Sequence, residues 1–86
     1  MASKTVTVGS SVGLHARPAA IIAEAAGEFD DEVTLAVDGE EAVDASSPLL
    51  IMTLGAEKGA QVTVESDNAE AVEKIAALVE RDLDAE

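Results

Sequence analysis

Apolar positions along the chain change period several times, and each change marks an element. Residues 4–8, Lys-Thr-Val-Thr-Val, alternate polar and apolar, which is the signature of a strand with one face buried. Gly9-Ser10-Ser11-Val12-Gly13 then reads as a loop. From about Ala16 to Phe29 the period becomes helical, with Ile22, Ala25, Ala26 and Phe29 on one stripe. Pro18 falls in the first turn of that helix, where a missing N–H does no harm. Residues 32–37, Glu-Val-Thr-Leu-Ala-Val, alternate again, and Asp38-Gly39 is a strong hairpin signal. The returning strand, near Glu40 to Asp44, is blurred by the charge pair Glu40-Glu41.

Ser47 as N-cap, Pro48 at the first helical position and Gly55 as the stop enclose the short apolar helix Leu49-Leu50-Ile51-Met52-Thr53-Leu54. Ala60 to Glu65 alternates once more, with Val62 and Val64 on one face. Asp67 or Asn68 can cap a last helix from about Ala69 to Leu83, whose buried stripe is Val72, Ile75, Ala76, Val79 and Leu83. Glu70 and Glu73 near its start and Arg81 near its end suit the helix dipole. The predicted order is β-α-β-β-α-β-α, an α+β open-faced sandwich. Its four-stranded antiparallel sheet carries the three helices on one face and leaves Thr5, Thr7, Thr34, Thr63 and Glu65 on a wet face.

Length and composition narrow the picture. At 86 residues the chain has room for one domain, 1–86, with a small core. It has no Cys and a single aromatic residue, Phe29, so disulfides, thiolate metal sites and base-stacking platforms are all missing. Asp plus Glu count 18 against 5 for Lys plus Arg, a formal charge of −13. Such a surface repels phosphate backbones, which argues against nucleic acid as a partner. No apolar run reaches the roughly 18–20 residues that span a bilayer, and no signal-like stretch opens the chain, so a cytoplasmic protein without membrane insertion is expected. Acidity spread along a folded chain, rather than gathered in a tail, suggests a salt-rich cytoplasm, as in a halophile, with an ordinary acidic bacterial protein as the alternative.

Candidate chemistry gathers at the one histidine. His15 sits in Gly13-Leu14-His15-Ala16-Arg17-Pro18-Ala19, where a loop becomes a helix. Free N–H groups and the positive dipole end favour an anion there. Arg17, one of two arginines, can hold phosphate oxygens in a bidentate fork, and flexible glycines precede the histidine. An imidazole near its neutral pKa is a competent nucleophile, with one nitrogen free to take a phosphoryl group and the other to orient the ring. The residue types alone leave a second reading open, in which His15 caps the helix and Arg17 neutralises its neighbours. One histidine and scattered carboxylates provide no metal-ligand spacing.

This seven-residue motif resembles the active-site motif of the histidine-containing phosphocarrier protein family, HPr, of the sugar phosphotransferase system. The likeness continues through Ser46-Ser47, Met52-Thr53-Leu54-Gly55-Ala56, Lys58-Gly59-Ala60 and the final helix. The resemblance implies the same fold and a carrier rather than an enzyme, acting as a monomer without a cofactor. Enzyme I would pass a phosphoryl group to His15 on Nδ1, and the carrier would hand it to an enzyme II component. Arg17 and the backbone N–H groups of Ala16 and Arg17 would stabilise the phosphoryl charge, with Pro18 stiffening the helix start. Candidate receivers are an enzyme IIA of a fructose system or the phosphoryl subunit of a dihydroxyacetone kinase.

Ser47, or its neighbour Ser46, aligns with a serine that a regulatory kinase modifies in some members. The family usually has Ile or Met next, where this chain has Pro48, and an N-cap role already accounts for Ser47. Members often carry basic residues on the first helix; here it has Glu24 and Glu28 and no Lys. Partners would then need a compensating surface or would bind in high salt through apolar contact, with Leu14, Ala20, Leu49, Leu50 and Met52 as candidates whose other role is core packing. Two rivals have a place: a regulatory module of the same fold acting through Ser47, and an acyl-carrier-like protein with a serine at a helix start. The second demands an all-helical bundle, which the alternating segments contradict.

Overall fold

A computed structural model describes residues 2–9, 13–14, 16–37 and 40–81. The elements run β1 (Ala2–Thr7), α1 (Ala16–Gly27), β2 (Val33–Val37), β3 (Val43–Asp44), α2 (Pro48–Thr53), β4 (Gln61–Ser66) and α3 (Ala69–Glu80). The four strands form one antiparallel sheet in the order β1-β4-β2-β3. β1 runs along β4 from Ala2↔Ser66 to Thr7↔Gln61, and β2 flanks β4 on its other side from Val33↔Ser66 to Val37↔Val62.

Period-two alternation sends Val6, Val33, Leu35, Val62 and Val64 to one face, where all are buried. The three helices complete the core with Ala19, Ile22, Ile51, Val72, Ile75 and Val79, so the predicted sandwich is the observed one. The opposite face carries Thr5, Thr7, Gln61 and Thr63, cross-linked by Thr5–Thr63 and Gln61–Thr7 side-chain hydrogen bonds of 2.9 and 2.8 Å.

The boundaries depart from the sequence reading for local reasons. β1 begins two residues early because β4 offers partners as far as Ser66. Val8 leaves the ladder and donates its N–H to the Ala60 carbonyl at 2.9 Å. α1 stops at Gly27, and the N–H groups of Glu28 and Phe29 tighten onto the carbonyls three residues back, at 3.2 Å each. Phe29 is half-buried, with the Lys74 ammonium 5.8 Å above its ring. β3 shrinks to two residues at the sheet edge, leaving out Glu40 and Glu41. Asn68, not Asp67, caps α3: its Oδ1 accepts from the N–H groups of Glu70 and Ala71 at 3.0 and 3.3 Å. The Asp38-Gly39 turn, Ser10 to Val12 and Leu83 lie outside the described residues.

Gly9, two residues beyond β1, shows why the chain needs a small residue there. Its N–H donates to the Val79 carbonyl at 3.1 Å, and a Cβ added there would lie 1.8 Å from the Glu80 carbonyl oxygen. That obstacle is backbone and cannot rotate away. Gly9→Ala is therefore expected to cost about 3 kcal/mol, the upper end of ordinary overpacking. Urea unfolding measures it, and a loss under about 0.5 kcal/mol would show that the last turn of α3 yields freely.

Candidate functional site at the start of the first helix

The first turn of α1 is Ala16, Arg17, Pro18 and Ala19, with no acidic residue in it. In a chain of 18 carboxylates that omission matters, because an acidic side chain here would compete for the positive helix end. Pro18 has no N–H, so Ala16 and Arg17 carry the donors that the start of this helix leaves without intrahelical acceptors. Pro18 and Ala19 are buried and hold the turn to the core, while Ala16 and Arg17 are exposed.

The chain enters this turn through Gly13 and Leu14. Gly13 has φ +76°, and the N–H of Leu14 donates to the Ala56 carbonyl at 2.9 Å. Gly13 is thus seated on a neighbouring segment rather than loose. The sequence presents it only as a flexible glycine. Neither Ala56 nor this close approach leaves a mark in a periodicity pattern. His15 itself lies outside the described residues, between Leu14 and Ala16.

The other candidates sort by burial. Leu14 is only 3% exposed and belongs to the core cluster, so it leaves the docking set. Leu49 and Leu50 on α2 are 72% and 42% exposed, the large apolar side chains that stand out to solvent among the described residues. Met52 is half-buried against the core, and Ala20 on α1 is exposed. α2 packs directly on α1.

Ser47 caps α2, its Oγ accepting from the Leu50 N–H at 3.4 Å, with Pro48 next in the chain. Ser46 turns the other way. Its Oγ and N–H both donate to Asp44 Oδ1, at 2.7 and 2.9 Å, and these bonds hold the Asp44 carboxyl below the usual carboxylate range. The stabilisation they bring is present above the ordinary carboxylate pKa and fades as pH falls toward the lowered one. Because the Ser47 bond is long and Pro48 already sets the helix start, Ser47→Ala is expected to cost only about 0.5 kcal/mol, with Ser47→Asp restoring it. Urea midpoints of the two variants check this; a loss above about 2 kcal/mol would mean that the serine does more than cap.

The sheet, the three covering helices and an acid-free helix tip beside an arginine define a small open-faced sandwich protein suited to receive an oxyanion. The family model described as "PTS HPr component phosphorylation site" matches residues 2–81. The phosphocarrier protein HPr of Streptomyces coelicolor is 41% identical over 87 residues, covering 98% of this chain and 94% of that protein. Among solved structures, phosphocarrier protein HPr from Bacillus anthracis superposes with a TM-score of 0.84 at 34% identity, covering 91% of this chain and 95% of its own. HPr-C-His from Thermoanaerobacter tengcongensis gives 0.88 at 30%, covering 100% and 99%. The chain belongs to the HPr family and is a phosphocarrier of the phosphotransferase system. The acyl-carrier reading falls with the four-stranded sheet. No helix among the described residues is long and apolar enough to cross a membrane.

Proposed function

We propose that His15 is the residue that carries the phosphoryl group, on Nδ1, between phospho-enzyme I and an enzyme II component. The Nδ1 lone pair attacks phosphorus, a P–N bond forms, and the bond to the donor breaks with its electron pair returning to the donor. The next transfer reverses this toward the receiver. Arg17 and the N–H groups of Ala16 and Arg17 lower the cost of the charge spread over the three oxygens. The chain is a substrate of both partners and no catalyst, because positioning is all that it adds to their chemistry. The single observation supporting this reading is the motif Gly13 to Ala19 set across an exposed, acid-free first turn of α1.

Partners meet the exposed Leu49 and Leu50 of α2, together with Ala20 of the adjoining α1 and the half-buried Met52, through apolar contact that tolerates salt. Ser47 is read as a helix cap and not as a regulatory site. The working environment is a salt-rich cytoplasm, where a monomer of this charge is screened. Incubation with enzyme I and phosphoenolpyruvate should add one phosphate that is stable in base and lost in acid. Mass spectrometry placing it on a serine, or an acid-stable adduct, would overturn the assignment. Discharge of the labelled carrier onto a fructose-type enzyme IIA or onto a dihydroxyacetone kinase phosphoryl subunit then identifies the receiver.

A further inference from the structure

We infer that Gly13 is a positioning residue for phosphoryl transfer: its bare α-carbon lets the chain leading into the acceptor seat on the Ala56 carbonyl. The inference rests on His15 being that acceptor. Three observations carry it. Gly13 has φ +76°, in the left-handed region that L side chains rarely adopt. An added Cβ would lie 2.4 Å from the Ala56 carbonyl oxygen, 2.8 Å from the Glu57 α-carbon and 3.3 Å from the Ala56 carbonyl carbon, all of them backbone atoms. The same Ala56 oxygen accepts the Leu14 N–H at 2.9 Å, and the Leu14 side chain is buried. Residues 13 and 14 are therefore fixed to the segment that follows α2. Two residues beyond Leu14 the chain is inside α1, which Pro18 and Ala19 anchor in the core. A single residue, number 15, separates the two fixed points. Where chemistry consists mostly of positioning, a shift of about 1 Å costs on the order of 10²-fold in rate.

Two other glycines separate this role from mere strain or mere clash. Gly55 also has positive φ, +64°, yet nothing lies within 4 Å of its added Cβ. Gly9 meets backbone as closely as Gly13 does, but against Glu80 of α3.

Gly9→Ala, Gly13→Ala and Gly55→Ala should be compared by melting temperature and by steady-state phosphoryl uptake from phospho-enzyme I, under conditions where each is folded. Gly13→Ala is expected to lower kcat about 100-fold with KM within about 3-fold, because Leu49 and Leu50 remain in place. Gly9→Ala should be strongly destabilised and Gly55→Ala mildly so, both with kcat within about 3-fold of the parent. Gly13→D-Ala, made by peptide ligation, keeps the positive φ without placing a Cβ at the position that meets Ala56 and Glu57, so it should recover most of the kcat lost in Gly13→Ala. A folded Gly13→Ala at parental kcat, an equal kcat loss in Gly9→Ala, or a folded but slow Gly13→D-Ala would overturn the inference. Failure of the unaltered chain to take up phosphate would instead overturn the assignment of His15.

Discussion

His15→Ala is expected to take up no base-stable phosphate at all, because no other side chain in this sequence can form a P–N bond at imidazole. Arg17→Ala should still be labelled, but about 10²-fold more slowly, the usual loss when one donor to a developing oxyanion is removed. Arg17→Lys keeps the charge and loses the planar fork, so a rate between the two is expected. The three are separated by rapid-quench labelling at fixed enzyme I, with circular dichroism confirming that each is folded. Parental labelling of His15→Ala would move the acceptor elsewhere. A parental rate for Arg17→Ala would leave the backbone N–H groups of the first turn as the sole stabilisers.

Raising potassium chloride from about 0.1 M to 3 M should stabilise the protein by about 2 kcal/mol, or roughly 10–15 °C in Tm for a chain of this size. The physical reason is repulsion. Eighteen carboxylates share the chain with five cationic side chains. The ion pairs Lys4–Glu73 and Lys74–Glu28, at 3.3 and 3.2 Å, are exposed and worth ~0–1 kcal/mol each. Salt weakens those pairs, but it weakens many more like-charge contacts, so the net sign is positive. Sucrose at equal osmolarity, which does not screen, separates this from general exclusion effects. A Tm flat across the series would remove the salt-rich cytoplasm from the proposal.

Most of the architecture is legible in the sequence because its signals are local and redundant. Alternation in residues 4–8, 32–37 and 60–65 and the stripe through Val72, Ile75, Ala76 and Val79 identify four of the seven elements. Caps at Ser47 and Asn68 mark two helix starts. What escapes is set by contacts between distant segments. Leu14, flanked by Gly13 and His15, is offered by the sequence as a docking candidate, but it is buried, with its N–H on the Ala56 carbonyl. Gly9 and Gly13 look alike as loop glycines until Glu80 and Ala56 arrive beside them. At the site, the helix tip and its arginine follow from spacing; the carbonyl that seats the entering chain does not.

The sheet order has a consequence for synthesis. β1 is synthesised well before its ladder partner β4, which lies 54 to 64 positions later, from Thr7↔Gln61 to Ala2↔Ser66, and α3, which covers both strands, comes later still. β1 waits unpaired until β4 has emerged. Nascent-chain folding of this sheet is thereby delayed until β4 and α3 have been made, and maturation is governed by non-local closure rather than by stepwise growth.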